Sequence, residues 1–210
     1  MKQNKKQIVY SFLFFLVPVF VGLIFSGQLP DQVAIHFDFS GTADQFANKW
    51  AVMTGLPALM ALIHGIVVFS VCNDPKKNNI GAKMTNIILW MLPVFSLALM
   101  LVLYGIALGW NIDILNASGI LVGVLFMVLG NYLSKNRQNY TVGIRTPWTL
   151  NSRENWNRTH RLAGKIWMIS GLAAIGFSFV KGAVPYVLLA IVVCSLIPVG
   201  YSFFLYKRGI

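Results

Sequence analysis

The stretch MTNIILWMLPVFSLALMLVLYGIALGWNI, residues 84–112, contains no Asp, Glu, Lys or Arg. It is longer than the roughly 20 apolar residues that a helix needs to cross a bilayer, because about 30 Å of hydrocarbon is crossed at about 1.5 Å per residue. The stretch therefore predicts a transmembrane helix. Pro93 within it is compatible with that interpretation, because neighbouring helices can satisfy the carbonyl group that proline leaves unpaired.

Similar charge-free stretches occupy most of the chain. They cover residues 7–30, 50–73, 114–134, 166–180 and 182–206. The stretch 166–180 is short, but it reaches spanning length if the helix starts near Leu162 and Lys165 extends its amine toward the lipid headgroups. Only 11% of the residues are charged, against about 25% in an ordinary soluble domain. We therefore predict an all-α polytopic membrane protein with six transmembrane helices.

The basic residues orient these helices. With the N-terminus in the cytoplasm, 15 of the 17 Lys and Arg residues lie in cytoplasmic segments, and only Lys49 and Lys181 lie outside. The positive-inside rule thus predicts that both termini are cytoplasmic. It also accounts for the net charge of +11 without direct nucleic-acid binding, since anionic lipids of the bilayer are the expected partners of these residues.

Two segments outside the predicted helices are long enough to carry a function. The predicted organisation is an N-terminal two-helix unit, residues 1–72, with an extracytoplasmic loop at 28–49, followed by a four-helix unit, residues 84–210, with a cytoplasmic loop at 134–161. The outer loop alternates apolar with small or polar residues over 33–39, which predicts a short strand.

His36 and Asp38 would share one face of this strand, and Asp44 follows closely. These three residues are the candidates for a divalent metal site, but they supply few ligands at no diagnostic spacing. We therefore predict no metal and no cofactor, and interpret the outer loop as a small folded cap.

The cytoplasmic loop holds a dense group of Arg, Trp and His residues. Pro147 predicts a non-helical Thr146, and Ser152 is a candidate N-cap of a helix that continues into the fifth span. Trp156 and His160, four residues apart, would share a face of that helix. Arg145, Arg158 and Arg161 are suited to bidentate recognition of phosphate or carboxylate. The alternative is an interfacial elbow, with arginines on lipid phosphates and tryptophans among the headgroups.

Several of these residues form a recognisable pattern. Its elements are GIRTPWTL at 143–150, then Trp156, Thr159-His160-Arg161 and Gly164, with Gly130-Asn131 before them. This pattern resembles the signature of the SdpI family. The outer loop is similar to a small domain that often precedes that signature, through Leu29-Pro30, Ile35-His36-Phe37, Ser40-Gly41 and Lys49. One departure is Ala34, where that domain usually has proline.

The resemblance implies a multi-pass protein of a bacterial cell membrane. It implies resistance to a secreted peptide toxin and retention of a cognate repressor at the membrane. The candidate partner-binding residues in the cytoplasmic loop are Arg145, Thr146, Pro147, Trp148, Trp156, Arg158, His160 and Arg161. The candidates in the outer loop are His36, Asp38, Gly41 and Lys49.

The competing class is a membrane-embedded enzyme or transporter that acts on a phosphorylated lipid or a small anionic ligand. Such proteins use ionisable residues within the membrane, and His64 is the only one in the predicted spans. The sequence shows no paired carboxylates, metal-ligand cluster or nucleophile–base pair. We therefore predict a non-enzymatic protein, while a lipid-directed activity through Arg145, Arg158 and His160 stays the alternative.

Overall fold

The computed structural model describes residues 2–210, with side chains from residue 5 onward. The α-helices are α1 (Lys2–Leu13), α2 (Leu16–Phe25), α3 (Leu56–Cys72), α4 (Ala82–Ala107), α5 (Ile114–Leu133), α6 (Pro147–Asn151), α7 (Arg153–Phe177) and α8 (Val184–Lys207). The strands are β1 (Gln32–Phe37) and β2 (Ala43–Asn48). A π-helical turn, Ala51–Gly55, leads into α3, and a 3-10 turn, Lys77–Asn79, precedes α4.

Within the described part of the chain, five helical segments are long and apolar enough to cross a membrane. These are Lys5–Phe25, Ala51–Cys72, Ala82–Ala107, Ile114–Leu133 and Val184–Lys207, and each coincides with a predicted span. Large apolar side chains such as Phe20, Leu62 and Leu189 lie exposed on them. Exposed apolar surface of this extent is typical of a protein surrounded by lipid. The predicted all-α polytopic membrane fold is confirmed.

The fifth predicted span lies in α7. This helix is continuous from Arg153 to Phe177, so the helix that begins in the cytoplasmic loop continues into the apolar stretch as expected. Its first half is polar, which distinguishes it from the five apolar segments. The count of six spans, the cytoplasmic placement of the termini and the division of the chain between residues 72 and 84 stay predictions.

Pro18 divides the first apolar segment into α1 and α2. Proline has no N–H group, so it cannot donate the helical bond to the carbonyl group of Phe14. The amide of Val17 donates to that carbonyl instead, over 3.0 Å. The carbonyl of Pro18 accepts a buried hydrogen bond of 3.1 Å from the Tyr104 hydroxyl group, which ties α2 to α4.

The chain forms two compact units, and the first comprises the residues up to Val68 together with Asn86–Leu121. Its buried apolar cluster consists of Leu29, Val33, Val52, Met53, Met100, Leu103 and Tyr104. Leu29 and Val33 come from the loop between α2 and α3, so that loop packs on the helices through part of its apolar surface. The predicted small folded cap is therefore present.

This cap is an antiparallel hairpin of β1 and β2, which we call the outer hairpin (residues 32–48). Val33 pairs with Ala47 and Ala34 with Phe46, and the register shifts between Ala34 and His36 and again between His36 and Phe37. The predicted strand is present, but it ends at Phe37 rather than Phe39. The second strand, β2, was not predicted, because ADQFAN lacks an alternating pattern.

The second unit comprises Phe69–Thr85 and Val122–Ile210. Within it α5 and α7 approach closely at two pairs of glycines, Gly123 with Gly171 and Gly130 with Gly164. A methyl group on Gly171 would lie 2.5 Å from the carbonyl oxygen of Gly123 and 2.8 Å from the amide nitrogen of Met127. Small residues that bring helix backbones together are a common means of association between membrane helices.

We expect Gly171→Ala to lower the melting temperature of the purified protein, although alanine favours helices over glycine by about 1 kcal/mol. The added methyl group meets backbone atoms that cannot move aside separately, and overpacking of this kind costs about 1–3 kcal/mol. Gly176→Ala, on the same helix, is the matched control, because a methyl group there has no atom within 4 Å. Equal melting temperatures for the two variants would contradict the close packing of α5 on α7.

Candidate functional site in the loop at 134–161

The signature loop, residues 134–161, turns at Gly143. The φ angle of this residue is 127°, a conformation that favours glycine. A side chain there would also overlap the Nε2 atom of His160. The next residue, Ile144, donates its backbone N–H to that same nitrogen over 2.9 Å. Gly143 therefore allows the chain to pass directly against the His160 ring.

The Thr146-Pro147 pair starts the short helix α6. Thr146 is extended, with φ −100° and ψ 159°, as Pro147 predicts. The side chains of Thr146 and Thr149 each accept a hydrogen bond from the backbone amide of the other, which forms a capping box. Ser152 then caps α7 by accepting a hydrogen bond from the amide of Asn155, so the predicted N-cap is confirmed.

Trp156 and His160 lie on one face of α7, as their spacing predicts, and both are buried. Their rings stack at a centroid distance of 3.9 Å and an interplanar angle of 21°. The Trp156 indole N–H donates to the carbonyl of Asn136 over 2.9 Å. Trp156 is 0% exposed and His160 is 1% exposed. An interfacial elbow would instead place such rings among lipid headgroups, so this geometry favours a folded loop for these two residues.

Both nitrogens of His160 are engaged. Nδ1 lies 2.8 Å from the Trp156 carbonyl, and Nε2 accepts the amide of Ile144. A carbonyl oxygen only accepts hydrogen bonds, so Nδ1 carries the proton. Nε2 accepts a hydrogen bond and therefore carries no proton, so the imidazole is neutral. Burial lowers the pKa of His160 from 6.5 to about 4, and the bond to Trp156 opposes this shift only in part. An enzyme that used His160 in catalysis would need one of these nitrogens to be available to its substrate.

Trp148 connects α6 with α8. Its indole N–H donates to the Ser202 hydroxyl group, and its ring stacks on that of Tyr206 at a centroid distance of 5.9 Å. The side-chain amide of Asn155 donates to the carbonyl of Ser202 over 2.9 Å. The aromatic side chain of Trp148 is therefore part of the contact that holds the signature loop on α8.

The arginines of the signature loop remain at its surface. Arg145 is exposed, and its guanidinium group donates to the carbonyl of Tyr140 over 2.7 Å. Arg158 forms an ion pair with Glu154 one turn earlier in α7. Arg161 is exposed as well. The candidate residues thus divide into the five that shape the loop, of which Trp156 and His160 are buried, and three exposed arginines that can contact an anionic partner.

Sequence reasoning missed a second set of residues that hold the signature loop. Asp74 is 3% exposed, and its carboxylate accepts hydrogen bonds from the amides of Lys76 and Tyr140 and from the Thr141 hydroxyl group. Asp74 and Glu154 are the only acids in the predicted cytoplasmic segments, where basic residues dominate. An isolated acid among many basic residues is a signal that could have indicated a structural role.

Gln138 makes a parallel set of contacts. Its amide donates to the carbonyl groups of Thr149 and Leu150, and its side-chain oxygen accepts the Lys76 amine over 3.0 Å. Asn79 donates to the Gln138 carbonyl over 2.7 Å. The segment after α3 and the signature loop therefore form one hydrogen-bonded structure within the second unit.

The outer hairpin places its candidate residues differently from the prediction. Asp38 follows the end of β1 and does not share a strand face with His36, because its carboxylate accepts hydrogen bonds from the Ser40 hydroxyl group and the amides of Ser40 and Thr42. The Ser40 hydroxyl, followed by the Thr42 amide, lowers the pKa of Asp38. These bonds close the turn that also contains Gly41.

His36 instead pairs with Asp44, at 2.6 Å across the hairpin. Lys49 pairs with Asp31 over 3.1 Å and also donates to the carbonyl groups of Ser26 and Leu29. Among the described residues, no three His, Cys, Asp or Glu side chains lie close enough together to hold a metal ion.

His64 is fully buried in the first unit. Its Nε2 atom lies 2.9 Å from the Ser11 hydroxyl group, which itself donates to the carbonyl of Ile8. The rings of Phe12 and Phe15 pack against the imidazole at 4.9 and 5.5 Å. These contacts make His64 a packing residue between α1 and α3 that is hydrogen-bonded through Nε2.

Comparisons with known proteins agree with the sequence pattern. Residues 135–202 match the SdpI/YfhL protein family, and residues 13–61 match a domain of unknown function, DUF1648. The first match contains most of the signature loop, and the second contains the outer hairpin.

The chain is also similar to the immunity protein SdpI of Bacillus subtilis (strain 168). The two are 26% identical over 203 residues, which cover 96% of this chain and 93% of that protein. Solved structures gave no significant match. The resemblance to the SdpI family, which rested on the motifs, is therefore confirmed both by the family match and by a relative that aligns along nearly the whole chain.

Proposed function

We propose that this chain is a multi-pass protein of a bacterial cell membrane, and that the chain protects the cell in which it is made from a secreted peptide toxin. The observation that carries this proposal is the similarity to the immunity protein SdpI along 96% of the chain. An alignment of that length includes the outer hairpin, the membrane-spanning segments and the signature loop together. The proposal therefore assigns the same role to the whole architecture rather than to one shared motif.

A second, more specific part of the proposal is that the chain retains a cytoplasmic repressor at the membrane. It is supported by the exposure of Arg145 and Arg161 on a loop whose backbone is held by buried residues. A rigid loop that presents guanidinium groups is suited to an acidic protein surface, because little side-chain and backbone order must be gained on binding. His160 would act in this role only by shaping the loop, since it is 1% exposed.

Survival of the native host tests the proposal. We expect deletion of the gene to make the cells sensitive to culture supernatant from the undeleted strain, measured as a loss of colony-forming units. Expression of the chain from a plasmid should restore survival. Equal survival of the deleted and undeleted strains in that supernatant would contradict an immunity function.

A further inference from the structure

The strand β2 of the outer hairpin has a free edge. Among the described residues the sheet has two strands only, so one side of β2 pairs with β1 and the other side has no partner strand. Asp44, Gln45, Phe46 and Asn48 in β2 are exposed, whereas Val33 and Ala34 in β1 are buried. A free strand edge presents unpaired N–H and C=O groups, which an extended peptide can use to add a further strand.

The side chains around this edge are acidic and apolar. Asp44 is exposed on the strand itself, where its carboxylate pairs with His36, and the side chain of Asp31, which pairs with Lys49, is 88% exposed. Residues 28–49 carry three Asp and one Lys, in a chain whose net charge is +11. Phe46 is 56% exposed at the centre of β2. The edge therefore complements a segment that is both basic and apolar.

We propose that the free edge of β2 is the docking site for an extended, cationic and apolar segment of a secreted peptide, which adds to the outer hairpin as a third strand. Main-chain hydrogen bonds to β2 hold the segment, Asp44 faces a Lys or Arg of the peptide, and Phe46 contacts an apolar side chain. This inference rests on the proposed immunity function, because it names the surface and the chemistry by which the toxin is captured.

Two other interactions, insertion into the membrane and pairing with a second copy of the chain, would use the outer hairpin differently. Insertion into the outer leaflet would depend most on Phe39, which lies at the turn and is 85% exposed. Pairing with a second copy of the chain would join β2 to β2 and bring two acidic edges together, which would repel each other. The charge of Asp44 therefore favours a basic peptide over a second copy.

Binding of synthetic peptides to the full-length protein in phosphatidylcholine nanodiscs tests strand addition. The probe is a fluorescein-labelled peptide of six residues, the length of β2, that alternates lysine and valine. Two further peptides carry N-methyl groups on alternate residues or glutamate in place of lysine. We expect binding of the first peptide only, since N-methylation removes the donors for β2 and glutamate repels Asp44. Equal binding of the N-methylated peptide would overturn the proposal.

Variants locate the binding site. Phe46→Ser and Asp44→Asn should each weaken binding of the lysine–valine peptide by at least roughly tenfold, about 1.4 kcal/mol. Phe39→Ser is the matched control, because it removes a more exposed aromatic residue of the same hairpin outside β2. Equal weakening by Phe39→Ser and Phe46→Ser would overturn strand addition in favour of membrane insertion. A dimer that Phe46→Ser dissociates would overturn it in favour of a second copy.

Survival assays separate this inference from the proposed function. If the wild-type chain protects cells and the Asp44→Asn, Phe46→Ser double variant protects them equally, the β2 site is wrong while the immunity function stands. If the wild-type chain gives no protection, the proposed immunity function is wrong. The peptide-binding experiments alone then test whether the β2 edge binds peptides. The melting temperatures of the variants should match the wild type, because both residues are exposed.

Discussion

Trp156→Ala is expected to destabilise the second unit by about 3–5 kcal/mol, the range measured for removal of large buried aromatic side chains. Trp156 is 0% exposed, stacks on His160 and donates its indole N–H to the carbonyl of Asn136. Its removal leaves a cavity, an unpaired buried carbonyl group and an unsupported imidazole ring. For a chain of this size the melting temperature should fall by roughly 10 °C.

Thermal unfolding in detergent, followed by intrinsic fluorescence or thiol labelling, measures this effect. Trp156→Phe should cause a smaller loss, because phenylalanine retains a stacked ring and leaves only the Asn136 carbonyl unpaired, at about 1–3 kcal/mol. Trp110→Ala is the control, since Trp110 is 59% exposed. An unchanged melting temperature for Trp156→Ala would support the interfacial elbow, in which the tryptophan has partners only in a bilayer.

The features that could be predicted from the sequence are those set by local spacing. The charge-free run at 84–112 contains most of α4, because a long apolar helix is determined by its own composition. Trp156 and His160 meet because residues four apart share a helix face. Thr146 is extended because the following residue is proline.

The features that could not be predicted depend on partners far apart in the chain. The carboxylate of Asp74 is held by Tyr140 and Thr141, and neither segment has a periodic pattern that would indicate the pairing. The strand β2 forms because β1 is beside it, since its own residues do not alternate. Asp38 was placed on a strand face because the sequence does not show where hydrogen bonds to Ser40 and Thr42 end the strand.

The same distinction applies to the candidate site. The signature residues were predicted as one binding surface, yet the structure separates buried Trp156 and His160 from exposed Arg145 and Arg161. Sequence spacing indicates which residues share a helix face, but it does not show whether that face is covered. Binding of a partner by the exposed arginines stays a prediction. Substitutions at the buried residues test the fold of the loop and do not test this binding.

Acidification is expected to destabilise the protein through His160, which lies outside the predicted membrane-spanning segments. The folded protein keeps this imidazole neutral until its pKa of about 4, whereas an unfolded chain takes up the proton near 6.5. Between these two values the unfolded state binds more protons, so stability falls as the pH is lowered through this window. The full loss is on the order of 3 kcal/mol, because one pH unit corresponds to about 1.4 kcal/mol.

The structural reason for this loss is the pair of contacts that His160 makes. Protonation would place a second N–H on Nε2, directly opposite the N–H of Ile144, which now donates to that atom over 2.9 Å. Gly143 holds the chain against the ring, so the two donors cannot separate without opening the turn. We therefore expect the turn at 143–144 to open first, before the helices unfold, and the protection factor of the Ile144 amide in hydrogen exchange to fall as the pH is lowered below about 6.

His160→Gln separates this residue from the other titrating groups. Glutamine lacks the ring that stacks on Trp156, so the variant should be less stable than the wild type at pH 7.5. Because glutamine does not titrate, the difference in melting temperature should shrink as the pH approaches 4. His36, which is exposed, and His64, which packs against Phe12 and Phe15, are present in both proteins, so their contributions cancel in this comparison. A difference that stays constant from pH 7.5 to pH 4 would show that His160 is not the group whose protonation opens the loop.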